Sequence, residues 1–263
     1  MRAPPAQSSW MTEFEAFSTF HLVAVVACLG LAAAACALGL WLRGTAGERR
    51  LRVGWAWFTL LFQGVNLVWW LLPGNWDVDR SVPLQLCRIM AVLAPVAILT
   101  EARLPRALLY FWGLGLCSQG FITPVFKEGL ASEAFWFFWV GHLQIVGSAL
   151  YDVVVRGYRP NTREFVWASL LGIAYVVAVV PVNLAFGFNF GNLGRTDYGV
   201  GTLGNLAPWP WRPLAIYAMA QFALLVLWLV LRERGRGAGS EPALTASEAR
   251  PPSTPLPSTA PLR

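Results

Sequence analysis

The chain has 263 residues, 56% of them apolar and 13% charged, with 14 tryptophans and a formal net charge of +6. That balance excludes an ordinary water-soluble globule, whose charged share lies nearer a quarter. The basic residues fall in short loops rather than in a patch, which excludes a nucleic-acid partner and leaves an all-α, polytopic membrane protein.

Residues 1–19 are polar and mixed, with Glu13 and Glu15 ahead of the first apolar run. This is the wrong charge for the start of a secretory signal, so the segment is expected to persist as an extracytoplasmic N-terminus. Seven apolar stretches follow, at about residues 20–42, 54–72, 82–99, 107–123, 133–155, 165–188 and 212–231. Each is measured against the roughly 20 residues a helix needs to cross a bilayer core. The fourth is weakened by Gly113, Gly115 and Gly120 and ended by Pro124. The loop from Asn189 to Trp211 closes on Pro208-Trp209-Pro210-Trp211 and reads as a structured outer cap with its tryptophans at headgroup level. A transmembrane domain of residues 20–232 is then followed by residues 233–263, rich in Gly, Ala, Ser and Pro, which read as a disordered cytoplasmic tail.

Basic residues test this scheme. The loops after the first, third, fifth and seventh stretches, with the tail, collect fourteen of them, whereas the other side has five and Arg88 stays inside the third stretch. The positive-inside rule then predicts seven spans, the N-terminus outside and the C-terminus in the cytoplasm. The expected location is the cell membrane, as a multi-pass protein of the bacterial inner membrane.

Polar atoms inside such spans are costly and mark functional sites by default. At 1.5 Å per residue, Cys87 lies roughly 7 Å below the outer end of the third stretch and His142 roughly 13 Å below that of the fifth. His21, Asn66, Gln119, Thr123 and Asn183 fall at similar depth, whereas the inner half offers little beyond Asp152. A single polar cavity opening outward is the expectation. The four cysteines show no CxxC or Cys/His metal spacing, and a small buried hydrophobe is the default reading of each. Cys87 with His142 is the thiol and imidazole pair at comparable depth, suited to a nucleophile and its base. Cys117 with His21 stays open as a second pairing. Asn183, Gln85 or Gln119 could orient the imidazole or donate to an oxyanion. Arg88 points about 100° away from Cys87 around the helix and could hold a phosphate or carboxylate at the surface. Neither a cofactor nor a metal is called for.

Ordered pieces of the chain resemble the YwaF-like family of bacterial integral membrane proteins, related to a human multi-span phospholipid acyltransferase. They are Phe17-Ser18-Thr19-Phe20-His21, Val82-Pro83-Leu84-Gln85-Leu86-Cys87, Tyr110-Phe111-Trp112-Gly113, Gly141-His142, Asn183-Leu184-Ala185-Phe186-Gly187-Phe188-Asn189-Phe190 and Pro208-Trp209-Pro210-Trp211. The resemblance implies acyl transfer between membrane lipids through a cysteine thioester, with Cys87 as nucleophile and His142 as partner. Gln85, Arg88, Asn183, Asn189, Gln119 and His21 are the expected substrate-binding residues. Gln85 stands where family members commonly carry His.

The expected function is therefore that of a lipid acyltransferase or acyl hydrolase working in the outer half of the bilayer. A non-catalytic lipid or small-molecule binder or transporter is the alternative. Haem ligation by His21 and His142 is a third reading. A retinal Schiff base is excluded, since the seventh stretch contains no Lys.

Overall fold

The computed structural model describes residues 9–125, 127–195 and 206–232, and it is helical throughout apart from short turns and one isolated antiparallel bridge, Glu13 to Glu128. The expected cytoplasmic tail, the first eight residues and the middle of the Asn189 to Trp211 loop lie outside the described residues. A short α1, Ser9–Thr12, precedes α2, Thr19–Trp41, and α3, Ala46–Leu71. Then come α4, Val78–Ser81; α5, Leu86–Thr100; and α6, Arg103–Leu108, which runs into a π-helical turn, Leu109–Leu114. After α7, Gln119–Ile122, the chain makes α8, Glu133–Val154; α9, Thr162–Phe186; a 3-10 turn, Phe190–Asn192; and α10, Arg212–Leu231.

Local chemistry explains the starts. Ser18 accepts a hydrogen bond from the His21 N–H, Thr45 from Gly47 and Ser132 from Ala134. Asn161 and Glu164 close a full capping box at the head of α9. The Thr45 cap explains why α3 begins eight residues before its apolar stretch. Hydropathy sees only the oily part of a helix whose first turns are charged.

Four helices, α2, α8, α9 and α10, are long and apolar enough to cross a membrane, against the seven stretches expected. The other three depart for separate reasons. Helix α3 has the length but a polar first third. Helix α5 has 15 residues, about 22 Å of rise, because the turn around Pro83 delays its start to Leu86. Cys87 therefore sits in its first turn and not five residues down. The fourth stretch is a composite of α6, the π turn, an irregular passage at 115–118 and α7. There Gly115 packs so tightly that a Cβ would lie 2.3 Å from the Phe111 carbonyl oxygen.

Helix α8 occupies the centre. Of its most apolar window 61% is buried, against 22%, 11% and 6% for α2, α9 and α10, and it packs on α2, α3, α5 and the π turn. It is also the least hydropathic of the four, so its polar side chains turn inward while the outer helices show apolar flanks. Gly39 of α2 admits the Tyr151 ring of α8, which would come within 2.5 Å of a Cβ placed there.

Two polar layers cross the apolar core. Between α3 and α8, Trp55 Nε1 donates to Ser148 Oγ (2.9 Å) and Gln63 to Gln144 (2.9 Å), and within α3 Asn66 donates to Gln63 (3.4 Å). The Trp55–Ser148 contact adds to the little that the sequence offered beyond Asp152 in that part of the bundle. At one end of the bundle an ion-pair belt joins the helices. Arg52 reaches Glu48 (3.3 Å) and Glu101 (2.7 Å), Arg156 reaches Glu101 (2.5 Å), Arg106 reaches Asp152 (2.8 Å) and Arg103 reaches Glu164 (2.7 Å).

The belt carries a pH dependence. Its Arg156 hydrogen bond holds the Glu101 carboxyl below its ordinary value of 4.5 against a smaller opposing effect of burial. A depressed folded-state value means that the stabilisation is present above pH 4.5 and is lost as acidification protonates the folded carboxyl. Thermal unfolding of detergent-purified protein should fall in midpoint between pH 6 and pH 3, and Glu101→Gln should flatten part of that fall. An identical pH profile for Glu101→Gln and the parent would contradict this assignment.

Candidate functional site

Cys87 is placed by what happens just before it. The Tyr175 hydroxyl of α9 donates to the Leu84 carbonyl (2.9 Å) and lies against the Leu86 N–H, so it grips the backbone on which α5 begins. The first-turn N–H groups of α5 have no helical acceptor, and the positive end of the helix dipole favours an anion beside them. Cys87 is half-buried and packs against the main apolar cluster, which includes Cys117.

His142 comes from the middle of α8 and is buried. Its Nδ1 lies 2.8 Å from the Phe138 carbonyl oxygen one turn earlier. A carbonyl can only accept, so Nδ1 carries a proton and Nε2 is left as the working nitrogen. The Phe138 ring covers one side, with centroids 4.3 Å apart, and Phe121 lies near another, at 6.1 Å. Gly120 closes the far edge. A Cβ at this position would stand 2.5 Å from Nε2, so the missing side chain is what makes room for the ring.

These groups converge. The Cys87 thiol lies close enough to both His142 and Cys117 for each to interact with it, and it packs with Cys117 in the main apolar cluster. Cys117 stands in the irregular passage after the π turn, its N–H bonded to the Trp112 carbonyl five residues back at 2.8 Å. Such wide turns recur at functional sites because they shift which face of the helix a side chain occupies. The site is thus two thiols and one imidazole in a row, bounded by Tyr175.

The other residues singled out in the sequence lie elsewhere or are engaged. His21 is buried, accepts the Phe17 N–H at Nδ1 (2.9 Å) and places Nε2 2.9 Å from the Phe121 carbonyl oxygen. Both nitrogens are spent on backbone, which overturns the open pairing with Cys117 and the haem reading together. Asn183 clasps the Phe190 backbone twice, at 3.0 Å in each direction. Asn189 accepts the Gly194 N–H (2.8 Å), and Gln119 donates to Thr123. Gln85 caps the start of α5 without a side-chain capping bond. Arg88 follows Cys87 and feels the charges of Arg80 and Asp77. Among the described residues no three His, Cys, Asp or Glu side chains converge to hold a metal ion.

Tyr175 is the member that sequence reasoning missed, and Cys117 enters that reasoning only as a possible partner of His21. Tyr175 had one signal, a hydroxyl within an apolar run that must find a partner when buried. The facing of Cys117 toward Cys87 had no signal, because the π turn resets the register from which it would be counted.

A model of the TMEM164 family matches residues 16–232, which takes in every residue of this site. Neither a curated protein nor a solved structure matches the chain.

The Gly120 contact is open to test. Gly120→Ala should displace the His142 ring and slow iodoacetamide alkylation of Cys87 about tenfold, the equivalent of roughly 1.4 kcal/mol. Gly30→Ala, whose Cβ would meet nothing within 4 Å, should leave that rate unchanged. Equal rates for the two variants would show that Gly120 does not set the ring.

Proposed function

We propose that this chain, which belongs to the TMEM164 family, is a seven-helix membrane enzyme that transfers or hydrolyses lipid acyl groups through Cys87 and His142. The observation that carries the reading is the contact of the Cys87 thiol with an imidazole whose Nδ1 proton is already committed to Phe138. A thiol alone in apolar surroundings is inert, whereas one beside a base that can take its proton is a nucleophile. The resemblance to the YwaF-like family supports the same assignment. Membrane lipids are the substrates that reach such a site.

The topology belongs to the same proposal. Seven helical segments cross, with α5 short and the α6 to α7 passage broken, and with the N-terminus outside. The ion-pair belt, with Arg52, Arg103, Arg106 and Arg156, faces the cytoplasm of a bacterial inner membrane, on the side where the loops carry most of the arginines, as the positive-inside rule directs. Cys87 then opens toward the outer leaflet.

In the first step the Cys87 sulfur attacks an ester carbonyl of a lipid. A carbon–sulfur bond forms, the carbon–oxygen bond breaks, and the thiol proton passes through His142 Nε2 to the departing alkoxide. N–H groups at the head of α5 face the negative charge that builds on the carbonyl oxygen. In the second step a lipid hydroxyl or water attacks the thioester. His142 takes its proton and returns it to the leaving Cys87 thiolate, so the enzyme ends as it began.

A second reading has its own observation. An apolar cavity of about 180 Å³ between α2, α3, α5 and α8 is lined by Leu31, Ala35, Leu51, Trp55, Ile98 and Leu143 among others. A lipid chain bound there without chemistry would make the protein a binder.

Mass spectrometry of the purified protein separates the two. Catalysis predicts a hydroxylamine-sensitive acyl group on Cys87 that is absent from Cys87→Ala and formed on the order of 10²-fold or more slowly in His142→Ala. A chain with no thioester on Cys87, and with lipid turnover unaltered by Cys87→Ala, would leave only the binder.

A further inference from the structure

The acyl-transfer reading uses Cys87 and His142 but gives Cys117 nothing to do. Two thiols brought into contact from separate parts of a chain are uncommon, and the other two cysteines show what an idle pair looks like. Cys28 and Cys36 are buried on one helix, eight residues or about 12 Å of rise apart, beyond the reach of a disulfide. Cys87 and Cys117 come instead from α5 and from the irregular passage behind the π turn, and their side chains pack in one apolar cluster, near enough to interact with each other.

The surroundings of the pair are unequal. Cys87 is partly open and stands at a helix head beside His142, whereas Cys117 is 1% exposed. Thiols of the first kind meet oxidants, and thiols of the second kind wait behind them. Joining the two sulfurs requires an approach to about 2.05 Å, and Cys117 sits in a passage that no regular helix holds in place.

We propose that Cys87 and Cys117 form a reversible disulfide when the protein meets a hydroperoxide, with Cys87 oxidised first and Cys117 resolving it. His142 takes the Cys87 proton, a step shared with the acyl-transfer reading, on which the inference rests to that extent. The Cys87 sulfur attacks the outer peroxide oxygen, a sulfur–oxygen bond forms, the oxygen–oxygen bond breaks, and the departing alkoxide takes up the proton held by His142. The Cys117 sulfur then attacks the sulfenic sulfur and displaces hydroxide, which leaves as water with the Cys117 proton. In sum two thiols and one hydroperoxide give a disulfide, an alcohol and water. The product holds no nucleophile at the site, so oxidation switches off any chemistry that depends on Cys87 until a thiol reductant restores it.

Hydrogen peroxide applied to the purified full chain tests this, followed by acid quenching, denaturation, N-ethylmaleimide and peptide mapping without reductant. Untreated protein should take the label on all four free cysteines, and treated protein on Cys28 and Cys36 only, with a Cys87–Cys117 linked peptide that dithiothreitol releases. In Cys117→Ser a dimedone adduct should collect on Cys87. In Cys87→Ser the Cys117 thiol should stay reduced. Treated parent protein that keeps Cys117 fully labelled, or oxidation of Cys117 at the parent rate in Cys87→Ser, would overturn the proposal. The readout contains no acyl transfer. A chain that forms the disulfide but no thioester loses only the acyl-transfer reading, and the converse result loses only the disulfide.

Discussion

Helix α8 pairs most of its polar side chains inside the protein, because hydrocarbon offers them no partner, although Trp139 Nε1 and Gln144 Nε2 are buried without one. Its inward row therefore reaches out in several directions. Ser148 and Gln144 meet Trp55 and Gln63 of α3, Asp152 meets Arg106 of α6, Tyr151 meets Glu48 at the head of α3, and His142 meets Cys87 of α5. Between apolar helices in lipid the hydrophobic effect gives little net attraction. Polar pairing and close packing from one central helix then decide which neighbours are held and in what register. The site is one rung of that arrangement, nearer the end opposite the ion-pair belt.

The same demand explains the support around the imidazole. Phe138 fixes the His142 tautomer from its own helix, and Gly120 yields the space the ring occupies. Phe121, next to Gly120, is stacked on Trp139 at 5.8 Å and has its carbonyl taken by His21 of α2. His21 thus acts on the site at one remove, by holding the segment that bounds His142. On the other flank Tyr175 does the equivalent for Cys87. A nucleophile and a base presented by different helices keep their geometry only if each is braced in this way.

Much of this was legible from hydropathy and charge. The four long apolar helices, α2, α8, α9 and α10, fall close to apolar stretches of the sequence, and counting depth singles out Cys87 and His142 as a pair on different helices. The misses have local causes. Helix α5 starts late because Pro83 sits in a turn, and α3 starts early because a capped, charged turn is invisible to hydropathy. Gln144 and Ser148 are ordinary residues whose inward facing depends on which neighbour each helix chooses. Asn183 was one of several amides at the right depth, and only the path of the chain past Phe188 shows it turned to the backbone of Phe190. Cys117 could not be placed, because six residues of π-helical turn separate it from any periodicity that could be extrapolated.

Of all the contacts, that between Cys87 and His142 supports the most, and the chain has only two histidines with which to watch it. Nitrogen-15 NMR of histidine-labelled protein in lipid nanodiscs reads both rings at once. His21 should show the neutral form protonated at Nε2 and should not respond to Cys87→Ala, while the ring nitrogens of His142 should shift, Nε2 most of all. Two imidazole spectra that both ignore the loss of the Cys87 sulfur would contradict the account.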